Sequence, residues 1–167
     1  IVKIELVNGK KHNPLSLELI KELSNSLTQI SSQKKVKVLI ISSEGPGFSA
    51  GHDLDELRKN RNNKKFFNEL FNECSNLMQT IMNLPQPVIA EVCGIAAAAG
   101  CQLVASCDLA VASEQASFMT PGVNIGLFCS TPMVAVSRNL SRKKIMEMLL
   151  TGEKLNAKDA VDFGLIN

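Results

Sequence analysis

The chain has no tryptophan and no tyrosine; its aromatic rings are seven phenylalanines and two histidines. The usual aromatic platform for stacking nucleobases is therefore poorly supplied. A strong charge of one sign is missing as well, since 18 basic side chains stand against 16 acidic ones for a net charge of +2. That balance argues against a nucleic-acid partner and leaves room for a small anionic ligand held by a few local cations. No apolar run reaches the roughly 18 residues of a membrane span, and no secretory leader pattern opens the chain, so no membrane partner is expected. The five cysteines, at 74, 93, 101, 107 and 129, form no CxxC pair, and four lie in apolar runs. An odd count of this kind reads as reduced core thiols in a reducing compartment, the cytoplasm, or the mitochondrial matrix if a targeting segment has been removed. His12 and His52 have no cysteine or histidine partner at ligand spacing, which argues against a structural metal.

What the chain does contain is the profile of a single soluble globular domain over residues 1–167, with 45% hydrophobic and 20% charged residues. "IVKIELV" reads as a strand and "NGKKHNP" as a polar turn. After Ser16, a candidate N-cap, Leu17, Ile20, Leu23, Leu27 and Ile30 recur at helical spacing. Residues 36–42, "VKVLIIS", form a nearly continuous β-branched run suited to a strand buried on both faces. "RKNRNNKK", residues 58–65, reads as a solvated loop, and Phe67, Leu70, Phe71, Cys74, Leu77, Met78 and Ile81 mark a long amphipathic helix ending before Pro85. "PVIAEVC" and "DLAVAS" are further strands, "KKIMEMLL" is helical and "NAKDAVDF" opens a short last helix. Alternating strands and helices without repeat or linker predict an α/β class.

Two corners share one physical character. At "FSAGHDL" (Phe48–Leu54) and "GIAAAAGC" (Gly94–Cys101), a buried strand meets a turn of small residues ahead of a helix. Small residues let backbone approach a ligand, and a helix start leaves N–H groups with partial positive charge. Two such N–H groups aimed at one point stabilise charge developing on a carbonyl oxygen. Either corner alone is a weak signal; the pair, on successive βα units, is a stronger one.

Taken together, "KKHNPLS", "GPGFSAGHDLDEL", "PVIAEVCGIAAAAGCQLVASCDLAVASEQASF" and "LLTGEKLNAKDAVDFGLIN" resemble the crotonase (enoyl-CoA hydratase/isomerase) family over essentially the whole chain. The resemblance implies a crotonase-like core, a superhelix of (ββα)-type units, ending short of the family's C-terminal helical part. It implies an acyl-CoA thioester as substrate, coenzyme A being part of that substrate and no separate cofactor being needed, and a homotrimer or hexamer. The family's two backbone oxyanion donors fall by position on Ala50 and Ala99. Lys10, Lys11 and His12 match the segment lining the CoA nucleotide, with a plain solvated turn as the alternative for His12. Gly51, His52, Asp53, Leu54 and Gly100 belong to the acyl and pantetheine path; a packing or hydrogen-bonding role is the favoured reading of His52 over direct substrate contact, and capping of the next helix is the favoured reading of Asp53.

The chain also departs from the family pattern. The two hydratase glutamates fall on Gln102 and Gly122. An amide does not titrate near neutral pH and glycine has no side chain, so neither position supplies a general base. Asp108 reads as structural, Glu114 as solvated, and Asn124 and Cys129 flank the second vacant position without making a convincing base. Three functions stay open: an enzyme that uses the oxyanion hole with poor or atypical activity (decarboxylation, hydration or isomerisation), a non-catalytic acyl-CoA binder or regulatory subunit, and a purely structural subunit.

Overall fold

The computed structural model describes residues 1–167. Its strands are distributed between two sheets in a regular alternation. β1 (Val2–Leu6), β2 (Leu39–Ser43), β4 (Val88–Val92) and β6 (Leu109–Ala112) form one all-parallel sheet in that order. β3 (Gly47–Ser49), β5 (Ile95–Ala97) and β7 (Ser117–Met119) form a second parallel set, to which β8 (Leu155–Asn156) adds antiparallel. β1 leads through a 3₁₀ turn into the first helix, whereas β2, β4 and β6 are each followed after a few residues by a short strand of the second sheet, β3, β5 and β7, and then by helix. The chain therefore winds as successive ββα turns, the α/β superhelix expected.

Helices α1 (Leu17–Ser31) and α3 (Lys64–Asn83) pack against each other over the first sheet. α1 starts where expected: Ser16 Oγ accepts from the Leu19 N–H at 3.2 Å, and Ile20, Leu23, Leu27 and Ile30 are buried. α3 starts at Lys64, one turn before its first predicted apolar residue, because Asn63 caps it through the Phe66 N–H at 3.1 Å. The basic run 58–65 is therefore a loop only in its middle. Arg58 and Lys59 end α2 (Leu54–Lys59), and Lys64 and Lys65 open α3. β2 begins at Leu39 rather than Val36 because its neighbours start opposite Leu39, Val2 on one side and Val88 on the other.

The remaining helices are α4 (Ala99–Ser106), α5 (Ser130–Val136), α6 (Arg142–Thr151) and α7 (Ala157–Asp162). The core runs between the sheets and under these helices, with Phe48, Leu103, Phe118 and Leu149 fully enclosed. A leucine so placed costs about 2–5 kcal/mol to truncate to alanine. Asp108 has the structural role expected, its Oδ2 accepting from the Val88 N–H at 2.8 Å at the start of β4. All five cysteines are free thiols; Cys74, Cys101 and Cys129 are buried and Cys93 is exposed. No helix is long and apolar enough to cross a membrane.

Candidate functional site

The two small-residue corners meet. A Cβ on Gly51 would lie 2.9 Å from Ala98 Cβ, 3.0 Å from Ala97 O and 3.2 Å from Ala99 N, and Gly51 has φ +89°. Only glycine fits this contact without strain. Gly100 is held as tightly from the other side, since a Cβ there would sit 2.4 Å from Ser49 O. So the strand end at Ser49 and the start of α4 are in backbone-to-backbone contact, and the glycines that read as ligand-approach residues first serve to let the two corners touch.

Asn13 pins a third segment to this junction. Fully buried with φ +48°, it donates from Nδ2 to Gly47 O at 2.9 Å and to Glu44 O at 3.0 Å, while its own carbonyl accepts from Ser49 Oγ at 2.8 Å. Asparagine tolerates the left-handed conformation better than most residues, which was the one sequence signal for it. Lys10 and Lys11 lie exposed on the 3₁₀ turn Gly9–Lys11, neither paired with an acid, and His12 is exposed just beyond it.

The backbone hydrogen bonds correct one assignment. The Ala50 N–H donates to the His12 carbonyl at 2.8 Å, so the donor expected there is already engaged. At this corner the His52 N–H, two residues on, has no acceptor. At the other corner Ala98 N–H is engaged by Met119 O at 3.0 Å, and the first bond inside α4 runs from Gln102 N–H to Ala98 O. That leaves the Ala99 N–H free at the helix start, as expected from its position.

Ala50, His52, Leu54, Ala98 and Ala99 line one cavity of about 520 Å³. Its other walls come from Leu57, from Phe71 and from the segment between Pro121 and Pro132, where Ile125, Leu127 and Phe128 are exposed around the opening. No aspartate or glutamate lines it; Gly122 does, at a position to which the resemblance assigns a hydratase glutamate. Phe71 was expected in the core stripe of α3, but it is 41% exposed and forms part of the cavity wall instead. The seven-residue apolar pattern on that helix was too wide for one buried face, and its edge residue became cavity wall. Asp53 is the helix cap favoured from the sequence, accepting from the N–H groups of Asp55 at 2.9 Å and Glu56 at 3.1 Å, and it does not line the cavity. Gln102 is 7% exposed and lies outside this cavity, on an adjoining trough.

His52 carries the one ionisable nitrogen of interest on the wall. Its Nδ1 lies 3.4 Å from the Leu15 carbonyl and its ring meets Phe71 edge-on at 5.4 Å. A carbonyl can only accept, so the proton sits on Nδ1 and Nε2 carries a lone pair; Nε2 is buried without a partner. Burial holds the ring pKa below its ordinary value, against the smaller opposite effect of the Leu15 bond, so the ring is neutral at pH 7. Neither the sequence spacing nor the composition marked that lone pair.

With the geometry in place, similarity to known proteins becomes informative. The family model described as enoyl-CoA hydratase/isomerase matches residues 1–167. The chain belongs to that family. It is 53% identical over 167 residues to the human protein named enoyl-CoA hydratase domain-containing protein 3, mitochondrial, covering all of this chain and 55% of the relative. Among solved structures, an enoyl-CoA hydratase from Mycobacterium smegmatis superposes with a TM-score of 0.96 at 45% identity, over 99% of this chain and 65% of that one. The human domain-containing protein 3 structure superposes at 0.95 and 51% identity, over 99% and 66%. The crotonase fold of the family is therefore the fold of this chain, which spans between about half and two thirds of the length of these relatives.

Proposed function

We propose that this crotonase-fold chain binds an acyl-CoA thioester whose carbonyl oxygen accepts from the N–H groups of Ala99 and His52. The observation that carries the reading is the pair of unengaged backbone donors at two touching corners, on residues that both line the same cavity. Such donors are worth about 10²–10³-fold in rate each when charge develops on the oxygen they hold. The exposed Lys10 and Lys11 sit beside the Ala50 corner, with His12 next to them, and supply cations for the nucleotide phosphates.

Without a carboxylate on the wall, hydration of an enoyl-CoA lacks its usual proton carriers, each worth about 10²–10⁴-fold. The chemistry that remains forms an enolate by another route, as loss of CO₂ from a carboxyacyl thioester does, with the two N–H groups holding the oxyanion. The second reading, an acyl-CoA binder that turns nothing over and acts as a regulatory subunit, is favoured by the same missing carboxylates. The family resemblance adds a homotrimer or hexamer, and the mitochondrial relatives add the matrix as the compartment.

Calorimetric titration of the whole protein with butyryl-CoA tests the binding, and a crotonyl-CoA hydration assay tests the chemistry. Saturable binding that free CoA matches only weakly, with hydration far below ordinary enzyme turnover of about 1–10³ s⁻¹, is the expected result. A folded protein that binds no acyl-CoA, or one that hydrates crotonyl-CoA at ordinary rates, overturns the reading.

A further inference from the structure

The cavity does not end at Phe71. A second hollow of about 280 Å³ shares Phe71 and Thr131 with it and runs between α3, α4 and α5. Its lining residues fall at helical spacing on each helix: Phe71, Met78 and Met82 on α3, Gln102 and Ser106 on α4, and Thr131 and Val134 on α5 with Arg138 just past the helix end. Lining residues so spaced describe a trough lying along the helices. Phe71 and Thr131 mark its near end, where the first cavity joins it; Met82 and Arg138 mark its far end, Arg138 Nη1 lying 3.6 Å from Met82 Sδ.

Two observations set this trough apart from a packing gap. The Oε1 of Gln102, in a residue 7% exposed, is buried without a hydrogen-bond partner on the trough wall. Buried polar atoms of this kind are rare and are satisfied by a donor that enters with water or ligand. At the other end, the Arg138 guanidinium pairs with no carboxylate, and no acidic residue lines the trough. The walls between them are mixed, with Met78, Met82 and Val134 offering apolar surface beside Ser75, Gln79 and Ser106, and the methionine side chains can adjust to an acyl chain.

Building on the acyl-CoA reading, we propose that the trough holds the acyl chain and that Arg138 selects chains ending in a second carboxylate. The substrate class is then an ω-carboxyacyl-CoA. Thr131 to Arg138 is seven residues, about 10 Å of helical rise. At about 1.2 Å per bond of extended chain, that length matches an acyl group of about eight to ten carbons. A guanidinium grips a carboxylate through paired N–H donors, a planar two-point contact that a methyl terminus cannot make.

Titration of the whole protein with octanoyl-CoA and suberoyl-CoA, equal in length and differing in the terminal carboxylate, tests this. Suberoyl-CoA is expected to bind at least about fivefold more tightly to the wild type, and Arg138→Met is expected to reverse that preference while octanoyl-CoA affinity stays within about twofold. Arg138→Lys, which keeps the charge without the fork, should retain part of the preference. Octanoyl-CoA binding as well as or better than suberoyl-CoA overturns the Arg138 assignment alone, leaving the thioester site standing. Equal loss of both ligands in Arg138→Met also overturns it, and binding of neither ligand to the folded wild type overturns the acyl-CoA reading together with this one.

Discussion

Gly122 donates its backbone N–H to Cys129 Sγ at 3.2 Å, and a Cβ at the same glycine would stand 2.7 Å from that sulfur and 2.8 Å from Leu127 O. If Gly122 stands where the resemblance puts a hydratase glutamate, that position is closed as well as empty. Restoring a carboxylate there cannot be a simple exchange, because one obstructing atom is a side chain that can turn and the other is backbone. Gly122→Glu is expected to destabilise the protein by about 1–3 kcal/mol, the usual cost of overpacking. Adding Cys129→Ala should recover part of the loss and leave the part due to Leu127 O. Urea melts of the single and double variants check this; full recovery in the double variant would mean that the backbone had moved aside.

Gln102 presents the opposite case, a side chain with room and no partner. Gln102→Glu keeps the shape and places a carboxyl where the amide is 7% exposed. Burial disfavours the ionised form, so the folded pKa of the new acid rises above its unfolded value of about 4.3. Below that unfolded value both states are protonated and the variant loses nothing through ionisation. Its stability relative to wild type then falls as pH rises through the window between the unfolded and the raised folded pKa, and levels off above it. Denaturant melts at pH 4.5, 6 and 8 should show the gap widening upward. If the thioester reading holds, the same variant alone should raise crotonyl-CoA hydration by about 10²-fold or more, the value of one general acid–base group.

How much of this was legible in the sequence depends on the kind of contact. The helix start at Ser16 and the cap at Asp53 followed from local rules, because each partner lies at a fixed offset. Asp108 was legible only as structural; its partner, the Val88 N–H 20 residues away, was not. The two corners were legible as small-residue turns, and Ala99 as a helix start. Ala50 was misassigned because the acceptor that engages its N–H, the His12 carbonyl, is 38 residues away and no spacing rule reaches that far. Phe71 escaped for a related reason: helical periodicity says which residues share a face, but not where the covering layer stops. The lone pair on His52 Nε2 needed the Leu15 carbonyl to fix the tautomer, and that contact exists only once α1 and β3 are assembled.

His52 also makes a prediction about pH. Burial lowers its folded pKa below the unfolded value of about 6.5, so below that pH the unfolded chain binds a proton that the folded one refuses. Stability is therefore fully present above about pH 6.5 and is lost as pH falls from there toward the folded pKa. Below the folded pKa the loss is complete and constant. His52→Gln removes this dependence, and the difference between wild-type and variant urea midpoints at pH 5.5, 6, 7 and 8 should slope in that window and flatten above it. A difference that is flat throughout would show that the ring is not held neutral by its surroundings.

The cysteines should separate by accessibility. Desolvation pushes the thiol of Cys74 up to about 11 and those of Cys101 and Cys107 up to about 12, with the Cys129 thiol raised as well despite the Gly122 N–H that favours its thiolate. The thiolate is the nucleophile, so these four are nearly inert at pH 8. Cys93, at the exposed turn between β4 and β5, has no such cover. Brief iodoacetamide treatment of the native protein at pH 8 should add one carbamidomethyl group, at Cys93, by peptide mass mapping, and denaturation should open all five. Butyryl-CoA should leave the Cys93 rate unchanged and slow any residual labelling of Cys129, because Cys129 lines the cavity proposed for the thioester and Cys93 does not. Protection of Cys93 instead would place the ligand on the wrong face of the β4–β5 turn.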